Sequence, residues 1–221
     1  MSGSNVIPLY PSKKRHSIDG DSPSILADIY QDEVNIAVWQ RQLTSAIQQN
    51  VAQLFRDRPS FQLSITVSAD AVIDNLLEVL GPHDYTPLAN DVSALVDMFC
   101  DLFALERIGL RLTVLNKAMC PRFHVDRVPC RLVTTYQGIA TQWLPHHLVN
   151  RSKLGMGSQG LPDNESGLYS NHHDIQQLNC ADVALLKGEL WSDNEGAGLV
   201  HRSPAVDDNE PRLLMTVDFA R

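Results

Sequence analysis

Cationic side chains are scarce in this chain: 18 Lys+Arg stand against 26 Asp+Glu, a formal net charge of −8 over 221 residues. Gripping a phosphate backbone or an anionic lipid surface takes clustered Lys and Arg, so neither nucleic acid nor a membrane is an expected partner. Long apolar runs are also missing. No stretch approaches the roughly 20 residues needed to cross a bilayer, and the opening MSGSNVIPLYPSKKRHS lacks the charged-then-apolar order of a secretory signal. The expected compartment is the cytoplasm. Cysteines are few, at Cys100, Cys120, Cys130 and Cys180 with no CxxC pair, which argues against a disulfide framework and for buried thiols. Aromatic residues make up only 6%, so Trp39, Trp143 and Trp191 read as packing anchors at the core or its rim. No glycine-rich phosphate loop and no GxSxG nucleophile signature occurs.

What is present is enough apolar surface for a core, with 43% hydrophobic and 20% charged residues. Residues 1–24 carry Gly, Ser, Pro and the cluster Lys13, Lys14, Arg15 and His16 without periodicity, and read as a flexible tail. Residues 25–106 read as a mainly helical layer. Trp39, Leu43, Ile47, Val51 and Leu54 recur at helical spacing, FQLSITVSA from Phe61 to Ala69 alternates like a strand, and Asp70 precedes a helix over AVIDNLLEVL. DVSALVDMFCDLFALE then reads as a third helix with Asp91 near its start. Residues 107–221 change to short β-type runs, LRLTVLN, RLVTTYQGIATQWL, DVALLKGEL, GLVH and RLLMTVDF, set apart by turn residues. The fold class this predicts is α+β, with N-terminal helices bracing a C-terminal jelly roll. The polar, glycine-bearing stretch between Pro145 and Asn179 is long for a connection and suggests a lid or a disordered loop.

The chemistry concentrates in CPRFHVDRVPC. His124 and Asp126 stand one residue apart, and on a strand positions i and i+2 share a face, so an imidazole and a carboxylate would converge. His201 in GLVHRSP is a third candidate ligand, and Arg212 follows 11 residues later. Two imidazoles and one carboxylate leave three metal positions open, as a non-haem Fe(II) oxygenase needs for a chelating co-substrate and O₂. A guanidinium offers a permanently charged planar fork for a second carboxylate.

HxD, a distant His on a late strand and a following Arg resemble the signature of the Fe(II)/2-oxoglutarate-dependent oxygenase superfamily, over residues from about Leu110 to the end. That resemblance implies a double-stranded β-helix of the cupin-like kind, with His124, Asp126 and His201 as Fe(II) ligands and Arg212 as anchor for 2-oxoglutarate. It implies Tyr136, in TTYQG, as a second contact to the co-substrate. It also implies oxidative decarboxylation to succinate and CO₂ coupled to hydroxylation, with the 145–179 loop excluding water. Leu214 stands where some members carry a serine two residues after the arginine, and Thr216, on the same strand face as Arg212, is the candidate replacement. The whole chain, including NIAVWQRQL and CPRFHVDR, is similar to an uncharacterised bacterial domain family of unknown function.

Three other readings remain at this stage. Cys120 and Cys130 flank the HxD pair and allow a zinc site of thiolate, imidazole and carboxylate. A non-catalytic jelly roll could bind zinc or iron for metal handling, and a structural jelly roll could bind nothing. The pairs His146–His147 and His172–His173 read as surface residues, and Asp182, Asp207, Asp208 and Glu210 as turn residues. The substrate, small molecule or protein, and the oligomeric state are not legible.

Overall fold

A computed structural model describes residues 14–206 and 210–220. Two sheets and a helical layer stack on one another. Ten strands are assigned: β1 (His16–Gly20), β2 (Val34–Trp39), β3 (Gln62–Ser68), β4 (Arg107–Leu115), β5 (Cys130–Gln137), β6 (Gln142–Leu144), β7 (Gln176–Gln177), β8 (Val183–Lys187), β9 (Val200–Arg202) and β10 (Arg212–Phe219). The larger sheet runs β1-β2-β8-β5-β10-β4-β3 and the smaller β7-β6-β9. Among the described residues only β1 and β2 pair in parallel, and the other ladders are antiparallel.

Three α-helices, α1 (Ser45–Asp57), α2 (Val72–Leu80) and α3 (Thr86–Phe103), cover one face of the larger sheet. Each has an apolar stripe: Ile47, Val51 and Leu54 on α1, Leu76 and Leu80 on α2, Leu88, Val92, Leu95 and Phe99 on α3. Thr44 starts α1 by accepting from the Ile47 amide at 3.3 Å. Strand alternation sorts the sheet's two faces. Leu213, Met215 and Val217 of β10 join Leu132 and Tyr136 of β5 in the core beneath the helices. Leu214 and Val133 point the other way, to a second core with Trp143 and Leu199 of the smaller-sheet side.

Several expectations are corrected here. Residues 16–20 of the stretch read as a tail form an edge strand, and Arg15 donates to Asn194 Oδ1 at 2.9 Å; residues 1–13 lie outside the described residues. The stretch 25–106 contributes β2 and β3 to the larger sheet, since Trp39 ends a strand and the helix it seemed to open starts at Ser45. α3 starts at Thr86, five residues before Asp91, with a proline in its first turn, where a missing N–H costs nothing. The 145–179 segment carries short 3-10 turns and β7. Val149, Leu154, Leu168, Tyr169 and Ile175 cover Leu144 and Val200 on the outer face of the smaller sheet, and Asp163 Oδ2 accepts from the Phe123 amide at 2.8 Å, next to His124. Asp207 and Asp208 lie outside the described residues, and Glu210 is exposed. Among the described residues no helix is long and apolar enough to cross a membrane.

Candidate metal centre

The two histidines meet because their backbones pair. His124 N donates to His201 O and His201 N to His124 O, both at 3.0 Å, an isolated antiparallel bridge that extends the smaller sheet past β9. Their rings lie 4.6 Å apart between centroids. Asp126 is brought in by the turn after β8: Gly188 N donates to Pro129 O at 2.8 Å and Glu189 N to Asp126 O at 2.9 Å. Only glycine fits at 188, since a Cβ there would lie 2.0 Å from the Val128 carbonyl oxygen.

One ligand atom from each of His124, Asp126 and His201 lies within 4.8 Å of the other two. His201 Nε2 is 3.2 Å from Asp126 Oδ2, and His124 Nε2 is 3.6 Å from Asp126 Oδ1. The other ring nitrogens are taken: His124 Nδ1 meets Arg122 O at 2.9 Å and His201 Nδ1 meets Leu199 O at 3.2 Å. A carbonyl oxygen only accepts, so both Nδ1 atoms carry the proton and both Nε2 lone pairs aim at the carboxylate. Lone pairs facing carboxylate oxygens call for a positive charge between them, and a divalent cation fits this donor set. Without one, protons take that place. Burial pulls the His124 imidazole down, but its hydrogen bond to Asp126, its contact with the Arg122 carbonyl and the Asp126 charge raise it overall. Burial pushes the Asp126 carboxyl up, yet hydrogen bonds from both imidazoles and the charges of His201 and Arg131 hold it well below the usual carboxylate range.

Arg212 is fully buried, at 0% exposure, and lines the same cavity as His124 and His201. Among the described residues its fork meets hydroxyls: Nη1 donates to Ser203 Oγ at 3.0 Å, Nη2 to Thr141 Oγ1 at 2.8 Å and to Thr135 Oγ1 at 3.1 Å. Among the described residues no carboxylate pairs with it, and burial lowers its pKa to about 10. A buried guanidinium held by neutral groups carries a charge with no counter-charge among those partners.

The structure brings four of the five residues singled out in the sequence to one place. Tyr136 is the exception. It follows Thr135 on β5 and so points to the opposite face, where its hydroxyl donates to Asp91 Oδ2 at 2.7 Å; Arg41 holds the same carboxylate at 2.6 and 3.0 Å. Thr216 does line the cavity. The thiolate zinc site finds no support: Cys130 is buried on the helical face, and Cys120, which borders the cavity, lies outside the metal-ligating group. The paired histidines stay apart from it as well.

Sequence reasoning missed Ser203, Thr135, Thr141 and Arg131. Ser203 stands two residues after His201 and Thr135 four after Arg131, so the same-face rule already applied to His124 and Asp126 reaches them. Thr141 had no such signal.

No curated protein matches the chain in sequence. Among solved structures, a dioxygenase for auxin oxidation from rice matches with a TM-score of 0.53 at 12% identity, over 93% of this chain and 83% of that one. A prolyl-4-hydroxylase from Pseudomonas putida matches with a TM-score of 0.48 at 10% identity, over 90% of this chain and 98% of that one. The likeness to the rice enzyme is one of fold, a mixed α/β chain around a large sheet. A family model described as protein of unknown function (DUF1826) matches residues 20–218, and the chain belongs to that family.

Proposed function

We propose that this chain is an Fe(II)- and 2-oxoglutarate-dependent oxygenase, a hydroxylase built on a double-stranded β-helix. The strand order supports the scaffold: β4-β10-β5-β8 at the centre of the larger sheet face the smaller sheet β7-β6-β9 and its extension at His124. The observation that carries the reading is the sharing of one cavity by a two-imidazole, one-carboxylate cluster and a buried guanidinium that meets no carboxylate among the described residues. His124, Asp126 and His201 would hold Fe(II) and leave half of its coordination sphere open. The metal, when bound, supplies the redox chemistry that couples O₂ to decarboxylation of 2-oxoglutarate and oxidation of the substrate. Arg212 would fix the distal carboxylate of 2-oxoglutarate, with Ser203 and Thr141 donating or accepting beside it. Val133, Leu186 and Leu214 line the cavity and limit water around the reacting groups.

The substrate's approach fits a polar cleft of about 350 Å³ on the uncovered part of the larger sheet, bordered by Ser64, Thr66, Arg111, Arg131 and Asp218. Arg131 borders both this cleft and the inner cavity. A non-catalytic metal-binding jelly roll would need the triad but not Arg212. Anaerobic loading with Fe(II), followed by succinate release from 2-oxoglutarate under air, tests the proposal. Turnover lost in H124A and D126A supports it; no succinate from the iron-loaded wild type, or full turnover in those variants, refutes it.

A further inference from the structure

We propose that Arg131 and Asp218 act as a positioning clamp on Asp126, presenting that carboxylate to a divalent cation through a single oxygen. The inference rests on the metal reading of the triad above and concerns residues outside it. Arg131 on β5 and Asp218 on β10 are directly opposed across an antiparallel ladder. Their side chains close a two-pronged pair, Nε to Oδ1 at 2.7 Å and Nη2 to Oδ2 at 2.8 Å. A guanidinium is planar, so a carboxylate gripping one edge fixes where the remaining donors point. The third donor, Nη1, reaches Asp126 Oδ2 at 2.7 Å. The three side chains are only 14–19% exposed, which keeps solvent from competing for these bonds.

Two consequences follow. Asp126 sits on a turn, outside the named strands, where an unclamped carboxylate would rotate among rotamers and lose that freedom on binding metal. Arg131 removes that cost in advance and binds Oδ2, the oxygen that also faces His201 Nε2 at 3.2 Å, leaving Oδ1 on the His124 side without a guanidinium. A guanidinium beside a cation site would by itself repel the cation, and Asp218 cancels that charge. Asp126, Arg131 and Asp218 together carry a net −1, the charge of Asp126 alone. The clamp orders the ligand without weakening its field.

The test is Mn(II) binding to the full chain without 2-oxoglutarate, read from the free-ion electron paramagnetic resonance signal. Thermal unfolding in chelator serves as the control for folding. R131A is expected to bind Mn(II) about 10- to 100-fold more weakly, the usual loss when an outer partner of a ligand is removed. R131K, which has charge but no fork, should recover only part of the affinity. D218N should weaken binding several-fold, and more so at low ionic strength, because an uncompensated guanidinium then faces the cation. The double variant R131A/D218A removes both charges and should stay as weak as R131A. Mn(II) affinity in R131A or the double variant within twofold of wild type, with H124A losing it, overturns the clamp and leaves the triad standing. Should R131A fail to fold, R131K and D218N at wild-type affinity overturn it equally. A wild type that binds no Mn(II) overturns the metal reading and the clamp together.

Discussion

Gly188 lies so close to Val128 that a single added methyl would sit 2.0 Å from the Val128 carbonyl oxygen and 3.0 Å from that of Asp126. The turn after β8 therefore fixes the height of the HxD segment over the cavity. G188A must push residues 126–128 away, and overpacking of this kind costs about 1–3 kcal/mol. We expect a lower melting temperature together with at least tenfold weaker divalent-metal binding, measured by titration calorimetry. Unchanged metal affinity would show that the turn does not set the position of Asp126.

Arg212 predicts opposite effects on stability and binding. A buried guanidinium whose partners among the described residues are hydroxyls is a standing cost in the ligand-free protein. R212M should therefore unfold at the same or a higher temperature than wild type in the absence of ligand. Wild type should gain stability in 2-oxoglutarate with metal present, by the logarithm of ligand concentration over its dissociation constant. R212M should lose that gain. A variant still stabilised by 2-oxoglutarate as strongly as wild type would remove Arg212 from the co-substrate site.

Tyr136 tests the face assignment on β5. Its hydroxyl completes a network with Asp91 and Arg41 beneath the helices, away from the cavity. Y136F should cost about 1.5–3 kcal/mol of stability, the worth of one hydrogen bond to a charged group. Its 2-oxoglutarate requirement should match wild type in a succinate assay. A several-fold rise in that requirement without destabilisation would contradict the placement.

Lys187 gives a pH signature. It is 1% exposed, donates to Gln31 O at 2.9 Å and lies over Trp191, and burial lowers its pKa to about 8. Between that value and the ordinary lysine pKa near 10.4 the unfolded chain holds a proton that the folded protein has released. Stability attributable to this residue therefore rises with pH across that window, by at most about 1.4 kcal/mol per unit. The difference in unfolding free energy between wild type and K187M should shift in favour of wild type from pH 8 to pH 10. A flat difference would mean that Lys187 keeps its proton in the fold.

How far the sequence reached depended on whether a signal was local. Period-two alternation in RLLMTVDF and RLVTTYQ located β10 and β5, and the spacing of His124 and Asp126 placed two ligand candidates on one segment. The family resemblance misplaced Tyr136, and alternation did not correct it, because it says which residues share a face and not which face meets the cavity. Trp39 fell in with a helical stripe by coincidence of spacing, although its neighbours Val34 to Val38 are a fully buried strand.

The chain alone decided its own donor inventory: two imidazoles, a carboxylate and a late arginine in an order that permits one site, and a formal net charge of −8. Tertiary structure decided everything that depends on pairing across distance. Strand register set His201 against His124 over 77 residues of chain, β10 brought Asp218 to Arg131, and Asp163 of the long 145–179 connection came to bond the Phe123 amide beside His124. The reason is physical. Local preferences act within a few residues, whereas a ligand set is closed by hydrogen-bonded ladders and packed faces whose partners no local pattern names.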